Sequence, residues 1–187
     1  MAQSDRERWD QRYANPITSP KQGPTPLLIR HAPPSYPGIR ALELACGLGR
    51  NALWLAEQGY QVDAIDISHE ALRRAYREML RRGLSGRVHW IQADLDHFPL
   101  PRYDYDLVYV FRFLDRRLFP AIRARVRPGG LVIYQTLNIR HREQFPNTHP
   151  DHMLEPGELP GYFPGWTVLE ADDEGSYSLF AGRKPEV

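Results

Sequence analysis

Between Ala41 and Asp66 the chain switches hydrophobic period twice, and this segment limits the fold more than any other. Ala41 to Ala45 is a short apolar run of strand length, and Gly47-Leu48-Gly49 is a tight turn. Arg50 to Gln58 has helical length and stops at Gly59, the expected C′ residue. Val62 to Asp66 is a second strand, closing on a carboxylate about 20 residues past Gly47. Where a strand enters a helix through Gly-x-Gly, backbone approaches a ligand closely and helix N–H groups point at it. In open α/β sheets, ligands bind in this region, outside the carboxyl ends of the strands.

The alternation continues along the chain. Ser68 caps a helix with an apolar stripe of Ala71, Leu72, Ala75, Met79 and Leu80; Arg73, Arg74, Arg77, Arg81 and Arg82 form a solvated face, and Gly83 stops it. Val88 to Ala93 is a third strand, and Pro99 and Pro101 predict a loop before the fourth, Leu107 to Phe111. A helix over Phe119 to Val126 tolerates Pro120 in its first turn. Arg127-Pro128-Gly129-Gly130 is a turn, and Leu131 to Leu137 a fifth strand. Trp166 to Glu170 and Ser176 to Ala181 are separated by too few residues for a crossover, so they form an antiparallel hairpin. Upstream, Ser4 caps a short helix to Ala14 that carries Trp9 and Tyr13 on one face. A loop with Pro16, Pro20, Gly23, Pro24 and Pro26 follows, then a helical turn from Leu27 to His31.

The expected fold is α/β: a Rossmann-like, doubly wound, mostly parallel seven-stranded sheet with an antiparallel C-terminal hairpin. The 187 residues read as one domain, with 1–38 an N-terminal cover segment and 39–187 the core. The lone Cys46 forms no intrachain disulfide, which suits the cytoplasm. The polar N-terminus predicts no secretory signal, and no run reaches the roughly 20 apolar residues of a membrane span. A net charge of +1 argues against a strong pull towards nucleic acid. The only lysines are Lys21 and Lys184, and the arginine excess reads as codon bias.

Gly47 to Ala52 fits the G-x-G-x-x-A dinucleotide fingerprint, so an NAD-dependent oxidoreductase is one alternative. Three features favour S-adenosylmethionine. Glu43 is an acid inside the first strand, Asp94 closes the third strand where an adenine edge would lie, and the closing hairpin leaves no catalytic half for a dehydrogenase. Structural alternatives stay open: Glu43 pairing an arginine, Asp94 capping a turn, and Cys46 packing rather than acting as a nucleophile.

The run from Glu43 to Ser68 resembles the first two motifs of class I S-adenosylmethionine-dependent methyltransferases. It is most similar to the tellurite-resistance and thiopurine-methyltransferase-like group. The likeness rests on Cys46 to Asn51, Gly59 to Val62, Trp9 to Tyr13 and the Arg127 to Gly130 turn. It implies conversion of S-adenosylmethionine to S-adenosylhomocysteine, with Cys46, Gly47 and Gly49 in the methionine loop. Glu43 would orient that loop and the amino group, and Arg50 would lie near the methionine carboxylate. Asp66 would hold the ribose, Ile67 would pack on the adenine, Asp94 with the Leu95 backbone would read its edge, and Phe111 would face the amino group. Ala45 departs from the pattern, standing where the family often has its first glycine.

Methyl transfer from a sulfonium is an in-line displacement that needs no metal or covalent intermediate. Acceptor-side candidates are Trp9, Tyr13, Arg112, Phe113, Arg116, Asn138, His141 and His152. Arg112, Tyr13 and His141 are the chosen catalytic set: Arg112 for an anionic acceptor (or simply paired with Asp115), His141 or His152 as a general base. His149, His152 and Glu155 invite a metal, but Pro150 and Pro156 break the helix such spacing needs, so no metal is expected. Phe111-Arg112-Phe113-Leu114 is not the Asn/Asp-Pro-Pro-Tyr of nucleobase amine methylation. The expected partner is a small-molecule acceptor (sulfur, oxygen, nitrogen or a metalloid such as tellurite or selenite), with no membrane or nucleic acid, in a monomer or homodimer. A non-catalytic S-adenosylmethionine-binding protein is the second alternative.

Overall fold

The computed structural model describes residues 2–15 and 23–186; Pro16 and Pro20 of the expected loop lie outside the described residues. The strands follow the order β3-β2-β1-β4-β5-β7-β6 in one seven-stranded sheet, so the expected fold class is borne out. Here β1 is Arg40–Leu44, β2 Gln61–Asp66, β3 Val88–Gln92, β4 Tyr105–Phe111, β5 Val126–Leu137, β6 Thr167–Asp172 and β7 Tyr177–Arg183. The chain divides into two compact units, residues 1–100 and 101–187.

In the first unit, β1 pairs with β2 and β2 with β3, all parallel. Nearly every residue of β1 and β2 is buried, as strands covered on both faces require. Helix α1, Ala2–Ala14, starts two residues before Ser4, so Ser4 lies inside the helix and does not cap it. Trp9 and Tyr13 stack at 5.8 Å, one turn apart as expected. Helix α2, Pro26–His31, buries Leu27 and Leu28, and α3 is Arg50–Glu57. Helix α4, His69–Arg81, begins where the Ala71 N–H donates to Ser68 Oγ at 3.1 Å, the expected cap. Its buried stripe is Ala71, Leu72, Ala75 and Met79, whereas Leu80 is 48% exposed. One residue past Met79, Leu80 is rotated about 100° off the stripe. The opposite face is a lattice of ion pairs, Arg73 to Glu70, Arg81 to Glu78, and Arg82 to both Glu78 and Glu57. Residues 93–104 hold neither helix nor strand, as the prolines predict.

In the second unit, β4 is buried throughout and pairs in parallel with β5. A 3-10 turn, Arg116–Leu118, leads into α5, Phe119–Arg125, with Pro120 in its first turn. The expected turn Arg127 to Gly130 is instead a bulge inside β5. Tyr105 pairs with Val126 and Leu107 with Leu131, so the intervening residues loop out opposite Asp106. Arg127 closes that bulge by an ion pair to Asp106. β7 is antiparallel to both β5 and β6, which gives the expected hairpin. The segment between β5 and β6 also forms 3-10 turns at Ile139–Glu143 and Pro150–His152 and a short helix α6, Glu158–Gly161. Phe163 stacks on Phe180 at 4.9 Å and anchors that segment. No helix among the described residues is long and apolar enough to cross a membrane.

Candidate active site

The glycine turn is built from both ends. β1 stops at Leu44 because Ala45 swings to φ 54°, a left-handed value that costs a residue with a Cβ roughly 1–2 kcal/mol. Ala45 therefore adopts a conformation that favours glycine. Cys46 N–H donates to the Ile65 carbonyl at 2.9 Å, holding the turn against β2. Gly49 N–H then donates to the Cys46 carbonyl at 3.0 Å, and α3 starts at the next residue.

Asp66, at the end of β2, ties this turn to α4. One carboxylate oxygen accepts the Gly47 N–H at 2.6 Å and the other the Ser68 N–H at 2.9 Å. Burial raises the carboxyl above its ordinary range, and the backbone donors only partly offset that. Two carboxylate oxygens offer about four acceptor sites, so capacity for a further donor remains. Glu43, 2% exposed, accepts the Asn51 amide at 3.1 Å. Asn51 Oδ1 in turn accepts from the Thr25 N–H at 2.8 Å and its hydroxyl at 3.1 Å. Arg50 Nη2 donates to that hydroxyl at 2.9 Å, so the segment before α2 is stitched to the start of α3. Cys46 is buried, which pushes its thiol well above the ordinary value and fits the packing reading.

Helix α1 lies over the turn. A methyl group on Gly47 would stand 2.7 Å from Tyr13 Oη, and one on Gly49 would overlap the Trp90 indole. Tyr13, Gly47 and Asp66 are thus brought together. Asp10 fixes the helix: its carboxylate accepts the Ser68 hydroxyl at 2.6 Å and the Glu70 N–H at 3.0 Å, while Arg74 donates to the Tyr13 carbonyl at 2.7 Å. Burial pushes the Asp10 carboxyl up, but the Ser68 and Glu70 bonds outweigh it and the net shift is downward. A lowered acid stabilises above its unfolded pKa and loses that contribution as pH falls through the folded one. Asp10→Asn is accordingly expected to lose about 1 kcal/mol, roughly 2–4 °C in melting temperature, at pH 7. Melting curves from pH 7 to 3 should show that gap closing as the pH drops below the carboxylate range.

Asp94 follows Ala93, whose N–H donates to the Asp66 carbonyl at 3.0 Å. Its side chain accepts the Asp96 N–H at 3.0 Å and lies 3.2 Å from His97 Nδ1, so it does cap a turn. Leu95 is buried and Ile67 half-buried.

In the second unit, Phe111 ends β4 and packs against Tyr109. Arg112 follows at φ 61° and donates to Tyr177 Oη at 2.9 Å. The alternative pairing of Arg112 with Asp115 is not formed, because Asp115 pairs with Arg117 at 2.8 Å. Arg116 is bound to Glu158, and the His141 ring stacks on Phe145 at 4.7 Å. Among the described residues, no group of three or more His, Cys, Asp or Glu is arranged to hold a metal. Sequence reasoning missed Asp10, Thr25, Asn51 and Trp90 as site residues. Asp10 and Asn51 stood within the quoted motifs, but Thr25 and Trp90 carried no local signal.

A Rossmann-like sheet of this order, with a glycine turn bonded to the acid that closes β2, has the architecture of class I S-adenosylmethionine-dependent methyltransferases. Residues 41–130, just under half of the chain, match the methyltransferase domain family. Hemagglutinin 1 of Eikenella corrodens is 30% identical over 78% of this chain and 49% of its own length. The ubiquinone biosynthesis O-methyltransferase of Burkholderia orbicola is 36% identical over 54% of this chain and 45% of its own. The chain thus spans about half the length of these curated relatives. An S-adenosylmethionine-dependent methyltransferase from Mesorhizobium loti superposes with TM-score 0.69 at 19% identity, over 85% of this chain and 96% of that one. TehB from Haemophilus influenzae does so with TM-score 0.67 at 18% identity, over 79% of this chain and 58% of that one. At these identities the superpositions establish the fold.

Proposed function

We propose that the chain is an S-adenosylmethionine-dependent methyltransferase acting on a small-molecule acceptor. The observation that carries this is the Gly47 N–H bonded to Asp66 directly beneath the Tyr13 hydroxyl. This cradle admits no Cβ, and its acid has lone pairs free for ribose hydroxyls. Bound there, the cofactor supplies an electrophilic methyl group on a sulfonium. Cys46, Gly47 and Gly49 line the methionine moiety, Glu43 orients the turn through Asn51, and Arg50 serves the methionine carboxylate. Ile67 packs on the adenine, and Asp94 with the Leu95 backbone reads its edge. Phe111 faces the amino group, and Tyr13, Arg112 and His141 serve the acceptor. The acceptor atom is sulfur, oxygen, nitrogen or a metalloid such as tellurite; likeness to an O-methyltransferase and to TehB is compatible with that range without narrowing it. This reading treats residues 1–187 as one catalytic domain, a cytoplasmic monomer or homodimer.

Thermal unfolding with S-adenosylhomocysteine, S-adenosylmethionine and NAD in parallel tests it. A ligand at about 100 times its Kd adds roughly 2.7 kcal/mol, an expected rise of about 5–11 °C with the adenosyl ligands alone. A rise with NAD alone overturns the proposal in favour of an oxidoreductase. Tight adenosyl binding with no methyl transfer to any acceptor points to a non-catalytic binder.

A further inference from the structure

Most arginines of the second unit are engaged by carboxylates or by backbone carbonyls: Arg116 pairs with Glu158, Arg117 with Asp115 and Arg127 with Asp106, while Arg123, Arg140, Arg142 and Arg183 donate to main-chain oxygens. Arg112 differs. It is exposed and, among the described residues, has no carboxylate partner; its guanidinium meets the hydroxyl and ring of Tyr177, with its carbon 5.9 Å from the ring centroid. Its backbone is also unusual, since φ 61° at a residue with a Cβ is strained and strain of this kind gathers at functional positions. The strain is held in place, because Arg112 N–H donates to the Gln135 carbonyl at 2.8 Å and prolongs the β4–β5 ladder by one bond. The result turns the arginine out at the carboxyl end of β4, where open α/β sheets receive ligands.

The hydrogen-bond inventory of the pair is one-sided. Arginine has donors only, and one of its N–H groups is spent on Tyr177 Oη. That bond uses the phenol as acceptor, so the phenol proton remains to be donated. Arg112 and Tyr177 therefore offer several donors and a positive charge, with no carboxylate among the described residues to satisfy them.

We propose that Arg112 and Tyr177 form a clamp for an anionic group on the methyl acceptor, so that the acceptor class is a small molecule bearing a carboxylate or an oxyanion of the same charge. This rests on the methyltransferase reading and narrows its substrate. A planar carboxylate takes two parallel N–H bonds from the guanidinium, and the Tyr177 hydroxyl supplies a third. Tyr177 also holds the long arginine side chain in place, which lowers the entropy cost of ordering it on binding.

The test is calorimetric titration of the full chain, saturated with S-adenosylhomocysteine, using benzoate, its neutral isostere benzamide and inorganic phosphate at fixed ionic strength. Benzoate should bind at least about tenfold more tightly than benzamide, the worth of one charge-assisted bond. Arg112→Gln should abolish the difference and Tyr177→Phe should reduce it several-fold, both with S-adenosylhomocysteine affinity unchanged. Phosphate binding more tightly than benzoate assigns the clamp to oxyanions; the reverse assigns it to carboxylates. Equal or absent binding of benzoate, phosphate and benzamide, or anion affinity unaltered by Arg112→Gln, overturns the proposal. If wild-type chain fails to bind S-adenosylhomocysteine, the methyltransferase reading falls, and the same anion titrations on the ligand-free chain still judge the clamp.

Discussion

Gly49→Ala is expected to lower the melting temperature by about 5–15 °C and to remove stabilisation by S-adenosylhomocysteine. Two costs add. The backbone at Gly49 sits at φ +67°, which a Cβ disfavours by about 1–2 kcal/mol. The new methyl would also overlap the Trp90 indole and press on the Ala75 methyl at 3.2 Å, and overpacking of this kind costs about 1–3 kcal/mol. Gly83 is a clean control: its φ is +68°, but nothing lies within 4 Å of the added methyl. Gly83→Ala should therefore show the conformational cost alone, roughly 2–8 °C, with cofactor binding intact. Adding Trp90→Ala to Gly49→Ala should recover the steric part, seen as non-additivity of about 1–3 kcal/mol. Equal losses for Gly49→Ala and Gly83→Ala would mean that Trp90 does not back the turn.

Asp66→Ala carries the second large effect, with two buried N–H groups, of Gly47 and Ser68, losing their acceptor at once. Each unsatisfied donor costs about 1–3 kcal/mol, so the variant should lose about 2–6 kcal/mol and bind S-adenosylhomocysteine about 10–100-fold more weakly. Asp66→Asn separates shape from charge and should be the less damaged variant. The pH dependence has a definite sign. Burial raises the folded pKa of Asp66, so its contribution is fullest below the unfolded pKa and is lost as pH rises through the folded one. The advantage of wild type over Asp66→Asn in unliganded melting curves should thus be smaller at pH 7 than at pH 4. A gap that grows with pH would show that the backbone donors outweigh burial.

The strands, the two helices after them and the hairpin were legible because each is written in local patterns. Ala41 to Leu44 and Val62 to Asp66 are apolar runs of strand length, and Ser68 and Gly59 mark helix ends through bonds that span only a few residues. The Gly47-to-Asp66 spacing was equally legible, because adjacent parallel strands bring the first turn beside the end of the second. Boundaries were harder. Ser4 failed as a cap, and Arg127 to Gly130 was absorbed into β5, because neighbouring pairing rather than local preference decides where an element ends.

Sequence alone determined the fold class, the glycine turn and the acid that holds it, since backbone geometry there tolerates few residue types. Tertiary structure decided the partners of long side chains. Asp10 on Ser68, Thr25 on Asn51, Trp90 behind Gly49 and Arg112 on Tyr177 join residues 26 to 65 apart or sit on different strands and helices. No local period records such contacts. They exist only once packing brings the elements together, and the low dielectric of a buried network then fixes which donor meets which acceptor.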